Sequence, residues 1–214
     1  KSKAAAKRWP VIAAAAAGGS QTSIDIFHAK DLKARSATLA HQASLPLIAT
    51  EAAVPTQRST EDRGMVVHSA TAIKTHRQSG VLVGGTLLNR NLNFIDTINA
   101  LVYRAKGSDR QGTATLFLED VRISTNVRLF EDVRALGTRV SAAVRSRVLD
   151  EGLTWLDRAF VVNDWYISGY QPITDSFGNR VGMLYVGFLE APYRATIRSA
   201  YVISFGALLF VLIL

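Results

Sequence analysis

The sequence predicts an α+β fold of two tandem modules, each with an antiparallel sheet, followed by the start of a transmembrane helix. Its 214 residues are 48% hydrophobic, enough for a sizeable core in one or two domains. Segments with a strand pattern, bounded by turn residues, alternate with segments of helical periodicity. An internal repeat and an uncharged C-terminal run are the other two grounds for this fold class.

The first 91 residues are predicted to form an incomplete first module. Val11–Ala17 favours a helix that ends at the two following glycines. Apolar residues at helical spacing predict a second helix from Ile26 to Leu45, and Pro46 closes it. Strands are predicted at Leu47–Val54, Gly64–Lys74 and Val81–Leu88.

Residues 92–190 are predicted to form a second module. It begins with Leu92–Ala105, an amphipathic helix with its apolar residues on one face. A second helix is predicted at Val140–Leu149, before Gly152. The predicted strands of this module are Thr113–Leu118, Val121–Val127, Leu153–Val162, Trp165–Thr174 and Val181–Glu190.

The two modules share a repeat of a strand, a turn and a glycine-containing strand. Residues 64–88 align with residues 164–189, and Gly85 then matches Gly187. Few aligned side chains are identical, so a chance likeness of two hairpins is the alternative. The matching order of elements favours two related modules in tandem.

Residues 191–214 are predicted to be the start of a transmembrane helix. From Ser199 to Leu214 the sequence contains no charge and no proline. Helices of soluble proteins are seldom apolar on every face over about four turns, although a buried C-terminal helix is the alternative. We therefore expect the chain to be a region of a longer, membrane-anchored protein.

Composition and motifs argue against several kinds of site. The sequence has no cysteine, which excludes disulfides, thiolate metal sites and cysteine nucleophiles. Its four histidines, at 28, 41, 68 and 76, share no metal-ligand spacing, and it lacks phosphate-loop and hydrolase motifs. We predict no cofactor, no metal and no enzymatic activity. The net charge of +8 is spread along the chain, so no nucleic-acid partner is predicted.

One histidine and two pairs of adjacent acids have a structural interpretation. His68 lies in the middle of a predicted strand, where a hydrogen bond in or beside the core is favoured over a place in a pocket. The adjacent acids Glu119-Asp120 and Glu131-Asp132 lie in predicted turns, where solvated charge is expected.

Four segments, 112–127, 134–149, 160–173 and 180–193, resemble the Cache extracytoplasmic sensor domains. They are most similar to the Cache 3/Cache 2 fusion group of bacterial histidine kinases and chemoreceptors. Residues 82–98 resemble the junction between the two halves of that group. The resemblance covers residues 45–198 and implies PAS-like sheets, membrane helices on both sides and a small ligand beside the sheet.

The second module is predicted to hold the ligand site. Strand alternation places Tyr166, Ser168 and Tyr170 on one face. It also gives Arg122, Ser124, Asn126 and Arg128 a common face, and Arg158 begins the strand expected to pair with that of Tyr166. Tyrosine hydroxyls and arginine forks suit a carboxylate, whereas core tyrosines and solvated arginines are the alternative. The predicted ligand-binding residues are Arg122, Asn126, Arg128, Arg158, Tyr166, Ser168 and Tyr170.

The resemblance implies the ligand-sensing, extracytoplasmic region of a receptor in the bacterial inner membrane. A sensor histidine kinase is favoured over a chemotaxis receptor. The expected partners are a small anionic ligand, the membrane through the C-terminal helix, and a second copy of the chain in a homodimer. From another class, the alternative is a membrane-anchored structural or partner-binding module without a ligand.

Overall fold

The computed structural model describes residues 5, 8–74, 79–103, 112–130, 133–191, 193–194 and 199–205. The elements of the first part are α1 (Pro10–Ala16), β1 (Ser20–Phe27), α2 (Ala29–Arg35), α3 (Ala37–Ala43), β2 (Leu45–Pro46), β3 (Thr60–Glu61), β4 (Gly64–Lys74) and β5 (Ser79–Leu87). Strands β1, β4 and β5 form an antiparallel sheet with β4 in the centre.

The second part contains a larger antiparallel sheet of five strands, in the order β10-β11-β12-β6-β7. Its elements are α4 (Leu92–Val102), β6 (Gly112–Leu118), β7 (Val121–Thr125), β8 (Arg128–Phe130), β9 (Val133–Arg134), α5 (Ala142–Arg145), a π-helical turn (Ser146–Asp150), β10 (Trp155–Val161), β11 (Asp164–Thr174) and β12 (Arg180–Leu189). The mixed architecture with antiparallel sheets is consistent with a PAS-like fold.

Strand β1 shows that the helix predicted from Ile26 is wrong at its beginning. Ser20–Phe27 pairs with β4 along its whole length, and its buried residues cluster towards its end. The helical part is divided at Ser36, whose hydroxyl accepts a hydrogen bond from the backbone of Thr38 and so caps α3. Leu47–Val54, which was expected to be a strand, consists of turns and irregular backbone.

The repeat appears in the structure as two hairpins with equivalent pairing. Hairpin β4–β5 and hairpin β11–β12 are both antiparallel, and the pairs that the sequence repeat aligns occupy the same positions in them. The equivalent pairs are Val66–Leu87 and Tyr166–Leu189, then His68–Gly85 and Ser168–Gly187. Two separate tandem modules are not confirmed, because the two sheets share a core.

The shared core lies between the inner faces of the two sheets. Met65 of β4, Leu116 of β6 and Ile95 of α4 belong to one buried apolar cluster. Gly182 of β12 permits the close approach, since a Cβ there would lie 2.0 Å from the carbonyl oxygen of Phe117 and 2.8 Å from Cε of Met65. The inner face of each sheet is therefore used for packing against the other.

The outer faces of the two sheets are covered by different parts of the chain. Helices α1 to α3 pack on the three-stranded sheet, with Trp9 and Leu32 in the cluster that they form with it. Residues 133–149 cover the five-stranded sheet through Val140, Val144 and Val148. The outer face of each sheet is thus packed against its own covering segment.

A network of ion pairs joins the β3–β4 region to the turn between β6 and β7. Arg63 donates to Glu61 and to Glu119, with nitrogen–oxygen distances of 2.7 Å in both cases. Asp120 is buried and accepts from Arg139 Nη2 at 2.6 Å. The expectation of solvated charge at Glu119-Asp120 is therefore wrong.

The predicted transmembrane segment is only partly within the described residues. Residues 199–205 are helical and exposed, and Tyr201, Val202, Ile203 and Phe205 are among them. Residues 206–214, like Glu131-Asp132, lie outside the described residues. In the part of the chain that the structure describes, no helix has the length and apolar character needed to cross a membrane. The transmembrane helix stays a prediction.

The shared core predicts that truncating Leu116 destabilises the whole domain. Leu116 is 4% exposed, so Leu116→Ala should lower the free energy of unfolding by about 2–5 kcal/mol. Leu156→Ala is the matched control, because Leu156 is 81% exposed and should lose less than about 0.5 kcal/mol. Urea unfolding followed by circular dichroism measures both, and similar losses in the two variants would contradict the shared core.

The network also predicts a stability change in acid. The hydrogen bond from Arg63 lowers the pKa of Glu119 below its usual value of 4.5. The resulting stability is fully present above pH 4.5 and is lost as the pH falls through the lower pKa of the folded state. Urea unfolding from pH 6 to pH 3 should show this loss, and Glu119→Gln should flatten the curve below pH 4.5. An identical curve for the variant would contradict the assignment.

Candidate functional site

The candidate site lies on the outer face of the five-stranded sheet. Alternation along β11 places Tyr166, Ser168 and Tyr170 on this face, as the sequence predicts. Tyr185 of β12 is the cross-strand partner of Tyr170, and their ring centroids lie 4.7 Å apart. The sequence analysis missed Tyr185, although the strand alternation of Val181–Glu190 was the signal that could have found it.

The tyrosines on this face are neutral hydrogen-bonding groups. Burial raises the pKa of Tyr166 and that of Tyr170, and it raises the pKa of Tyr185 to about 12. The Tyr185 hydroxyl is 3.0 Å from Oγ1 of Thr113, and Ser168 donates to the carbonyl of Tyr166 at 3.3 Å. None of the three phenols therefore brings a negative charge to this face at neutral pH.

Arg122 is the unusual residue of the site. Its side chain is 3% exposed, and Cζ lies 5.1 Å from the centroid of the Phe117 ring. Burial lowers the pKa of the guanidinium. Nε and Nη1 are buried, and neither has a hydrogen-bond partner in the part of the chain that the structure describes. A buried cation without a partner is costly, because neither water nor a counter-charge replaces its hydration.

Trp155 places a second unpaired donor on the same face. It is the cross-strand neighbour of Tyr170. It packs against the apolar cluster that contains Phe117, the ring that Arg122 contacts. Its indole Nε1 is buried without a hydrogen-bond partner. The sequence analysis did not select Trp155. An arginine and an indole N–H with free hydrogens are both suited to an acceptor such as an anion.

A β-bulge determines which residues of β7 face the site. Arg122 pairs with Phe117 and Ser124 pairs with Leu116, so Ile123 is an extra residue in β7. The alternation is interrupted there, and the expected common face of Arg122 and Ser124 is wrong. The Ser124 hydroxyl instead donates to the carbonyl of Asn91 at 2.9 Å, beside α4.

Two other predicted site residues have different surroundings. The side-chain oxygen of Asn126 accepts from the backbone nitrogen of Ala114 at 2.7 Å, which closes the end of the β6–β7 pair. Arg128 lies in β8 and is exposed. The structure therefore does not bring these two side chains together with Arg122 and the tyrosines.

Arg158 is on the opposite face of the sheet. It is the cross-strand neighbour of Ile167, so alternation directs it away from Tyr166. Its Nε donates to Glu190 Oε2 at 3.0 Å, and Cζ lies 4.8 Å from the ring centroid of Trp165. The expectation that Arg158 joins the tyrosine face is corrected by this register.

Comparison with protein families places the site inside a known domain. Residues 86–200, more than half of the chain, match the family described as Single cache domain 3, and this range includes the five-stranded sheet and Arg122. Searches of curated proteins and of solved structures gave no significant match. The resemblance to Cache-type sensors is confirmed, whereas the Cache 3/Cache 2 fusion group stays a prediction. The chain belongs to the single Cache domain 3 family of sensor domains.

Proposed function

We propose that this domain is the extracytoplasmic sensor of a membrane-anchored bacterial receptor and that Arg122 binds a small carboxylate. The observation that carries the proposal is that two buried guanidinium nitrogens of Arg122, Nε and Nη1, lack a hydrogen-bond partner among the described residues. Membership of the single Cache family supports the sensing role.

The chemistry of the outer face favours a carboxylate over a neutral or cationic ligand. Arg122 and Trp155 offer N–H donors, and the neutral tyrosine hydroxyls can donate as well. A carboxylate accepts several such bonds and supplies the missing negative charge, and hydrogen bonds to charged groups are the stronger kind. The interaction is made where little water competes, which increases its contribution to binding.

Entry of the ligand requires movement of the covering segment. The rings of Tyr170 and Tyr185 are in contact, and Val144 and Val148 pack in the same cluster. We propose that residues 133–149 move to admit the ligand and pack over it again once it is bound. A ligand that binds the two arrangements with different affinity shifts their populations, which is the requirement for a sensor.

The proposed anchor is the C-terminal segment. Residues 199–205 form an exposed helix with Tyr201, Val202, Ile203 and Phe205, and exposed apolar groups of this kind support contact with lipid. A sensor histidine kinase that functions as a homodimer is our first proposal for the whole receptor, and a chemotaxis receptor is the alternative. The sequence on the cytoplasmic side of the membrane distinguishes them.

A partner-binding module without a small ligand is the second candidate. The contact between the Tyr170 and Tyr185 rings favours it, because a filled face needs no ligand to complete its packing.

The carboxylate proposal predicts stabilisation by ligand that depends on Arg122. Mono-, di- and tricarboxylates of two to six carbons should be screened by thermal shift, with the corresponding amines as controls. A ligand at 100 times its Kd should stabilise the domain by about 2.7 kcal/mol. Arg122→Met should abolish this effect, and Trp155→Phe should weaken it.

Arg158→Met is the matched control for that screen. Arg158 is also an arginine of the same sheet, but it lies on the opposite face and pairs with Glu190. Its substitution should leave the affinity for the carboxylate unchanged. Equal loss in the Arg158 variant, or no stabilisation of the original protein by any carboxylate, would contradict the proposal.

The same proposal predicts the sign of a stability change without ligand. Arg122→Met removes an unpaired buried charge and should raise the free energy of unfolding by about 1–3 kcal/mol in ligand-free buffer. Arg139→Met should lower it by about 3 kcal/mol, because it leaves the buried Asp120 without its 2.6 Å partner. Urea unfolding measures both changes. A loss of stability in Arg122→Met as large as that in Arg139→Met would contradict the proposal that the charge of Arg122 is unpaired.

A further inference from the structure

A cavity of about 210 Å³ lies on the outer face of the three-stranded sheet, under α2 and α3. It is almost wholly formed by residues that precede the matched family range of 86–200. Its walls are mainly apolar, with one arginine, Arg35, among them. The apolar lining residues are Phe27, Leu32, Leu39, Val66, Val83 and Leu87.

A glycine keeps the floor of this cavity open. Gly85 is the cross-strand partner of His68 and is exposed. A Cβ at this position would lie 2.9 Å from Cγ1 of Val66 and 2.9 Å from the carbonyl oxygen of Val67. A side chain at residue 85 would therefore displace its neighbours and occupy the space beside the imidazole.

His68 forms the polar part of the cavity, and a buried carboxylate orients it. The imidazole Nδ1 is 2.8 Å from Oδ2 of Asp25, and both residues are buried. The other oxygen of Asp25 accepts from the backbone nitrogen of Ser176 at 3.2 Å and from its hydroxyl at 2.5 Å. Because Ser176 occupies Oδ1, Oδ2 is the oxygen that faces the imidazole, and Nδ1 is the ring nitrogen that we assign as its donor.

This arrangement leaves the second imidazole nitrogen, Nε2, without a hydrogen bond. Among the residues that the structure describes, Nε2 of His68 has no hydrogen-bond partner, although the side chain is only 2% exposed. Trp9 and Phe27 pack edge-to-face on the imidazole, with both ring centroids 5.4 Å away, and hold its orientation. An imidazole that donates from Nδ1 has Nε2 as its remaining hydrogen-bonding atom, and an O–H or N–H group can bind there.

We propose that this cavity is a second ligand-binding site, for a small apolar molecule that carries one hydrogen-bond donor for His68 Nε2. A single aromatic ring fits the volume, since a dry apolar cavity of about 150 Å³ binds benzene in another protein. The six apolar side chains contact the body of the ligand, and the donor contacts the imidazole beside Gly85. The proposal is independent of the carboxylate site, because the two sites share no residue.

Phenol is the probe that tests the proposal, with toluene as its matched analogue without a donor. Titration of the ¹⁵N-labelled chain with phenol should shift the Nε2 resonance of His68 in a two-bond ¹H–¹⁵N spectrum, and the shift should saturate. Toluene should bind at least about tenfold more weakly, which corresponds to 1.4 kcal/mol for the missing hydrogen bond. Benzoate tests Arg35 as an alternative polar contact.

Substitutions in the cavity give a second readout. Leu39→Trp fills the cavity from α3 without touching the His68–Asp25 pair, and Val83→Phe does so from β5. Either variant should reduce phenol affinity at least about tenfold, provided that it retains a cooperative unfolding transition. Leu82→Trp is the control, because Leu82 neighbours Val83 in β5 but is exposed and outside the cavity lining.

Three results would overturn the proposal. The first is equal affinity for phenol and toluene without a shift of His68 Nε2. The second is tight binding of benzoate with no binding of phenol, which would make Arg35 the polar contact and change the ligand class. The third is phenol binding that survives both cavity-filling variants, since the ligand would then lie elsewhere.

Discussion

The packing of the two sheets against each other determines where every polar site of this domain is found. Met65 and Leu116 fill the space between the inner faces, and Gly182 lets β12 approach β4. Because the inner faces are used for this core, His68 and Arg122 must lie on the outer faces, under separate covers. The covers are helices α2 and α3 on one side and residues 133–149 on the other.

The buried charges of the structure differ in how completely they are paired. Asp120 has Arg139 at 2.6 Å, and Asp25 accepts from His68 and from two donors of Ser176. Asp120 and Arg139 each keep one unpaired atom, but their opposite charges are in contact. Among the described residues, neither Nε nor Nη1 of Arg122, at a similar depth, has an acceptor. An unpaired buried charge lowers the stability of a domain by several kcal/mol. A residue that imposes this cost is therefore expected to have a function. Functional sites are where such local costs are commonly found.

The positions of most strands and the likeness of the two hairpins were predictable from the sequence, whereas the composition of the site was only partly so. Alternation in β11 placed Tyr166 and Tyr170 correctly, because an uninterrupted strand has a strict period of two. The bulge at Ile123 broke the same rule in β7, and no pattern in the sequence marks it. The prediction for Arg158 was wrong for a related reason. The face on which its side chain lies depends on the cross-strand register, which the local pattern does not specify. Strand β1 was missed because its first residues are polar, and its pairing with β4 comes from tertiary contacts.

The two hairpins are equivalent, and the strands that flank them account for the different chemistry of their outer faces. His68 and Ser168 occupy the same register position, each opposite a glycine. In the five-stranded sheet, β6 and β7 extend the hairpin beyond β12, so Arg122 can reach the face from a neighbouring strand. The three-stranded sheet, as described, has no strand beyond β5, and its polar group comes from within the hairpin. There the imidazole needs an orienting acid, and β1 supplies Asp25 from the other side of β4. The same hairpin arrangement thus carries a buried arginine where strands are added beside its second strand, and an imidazole–carboxyl pair where a strand is added beside its first.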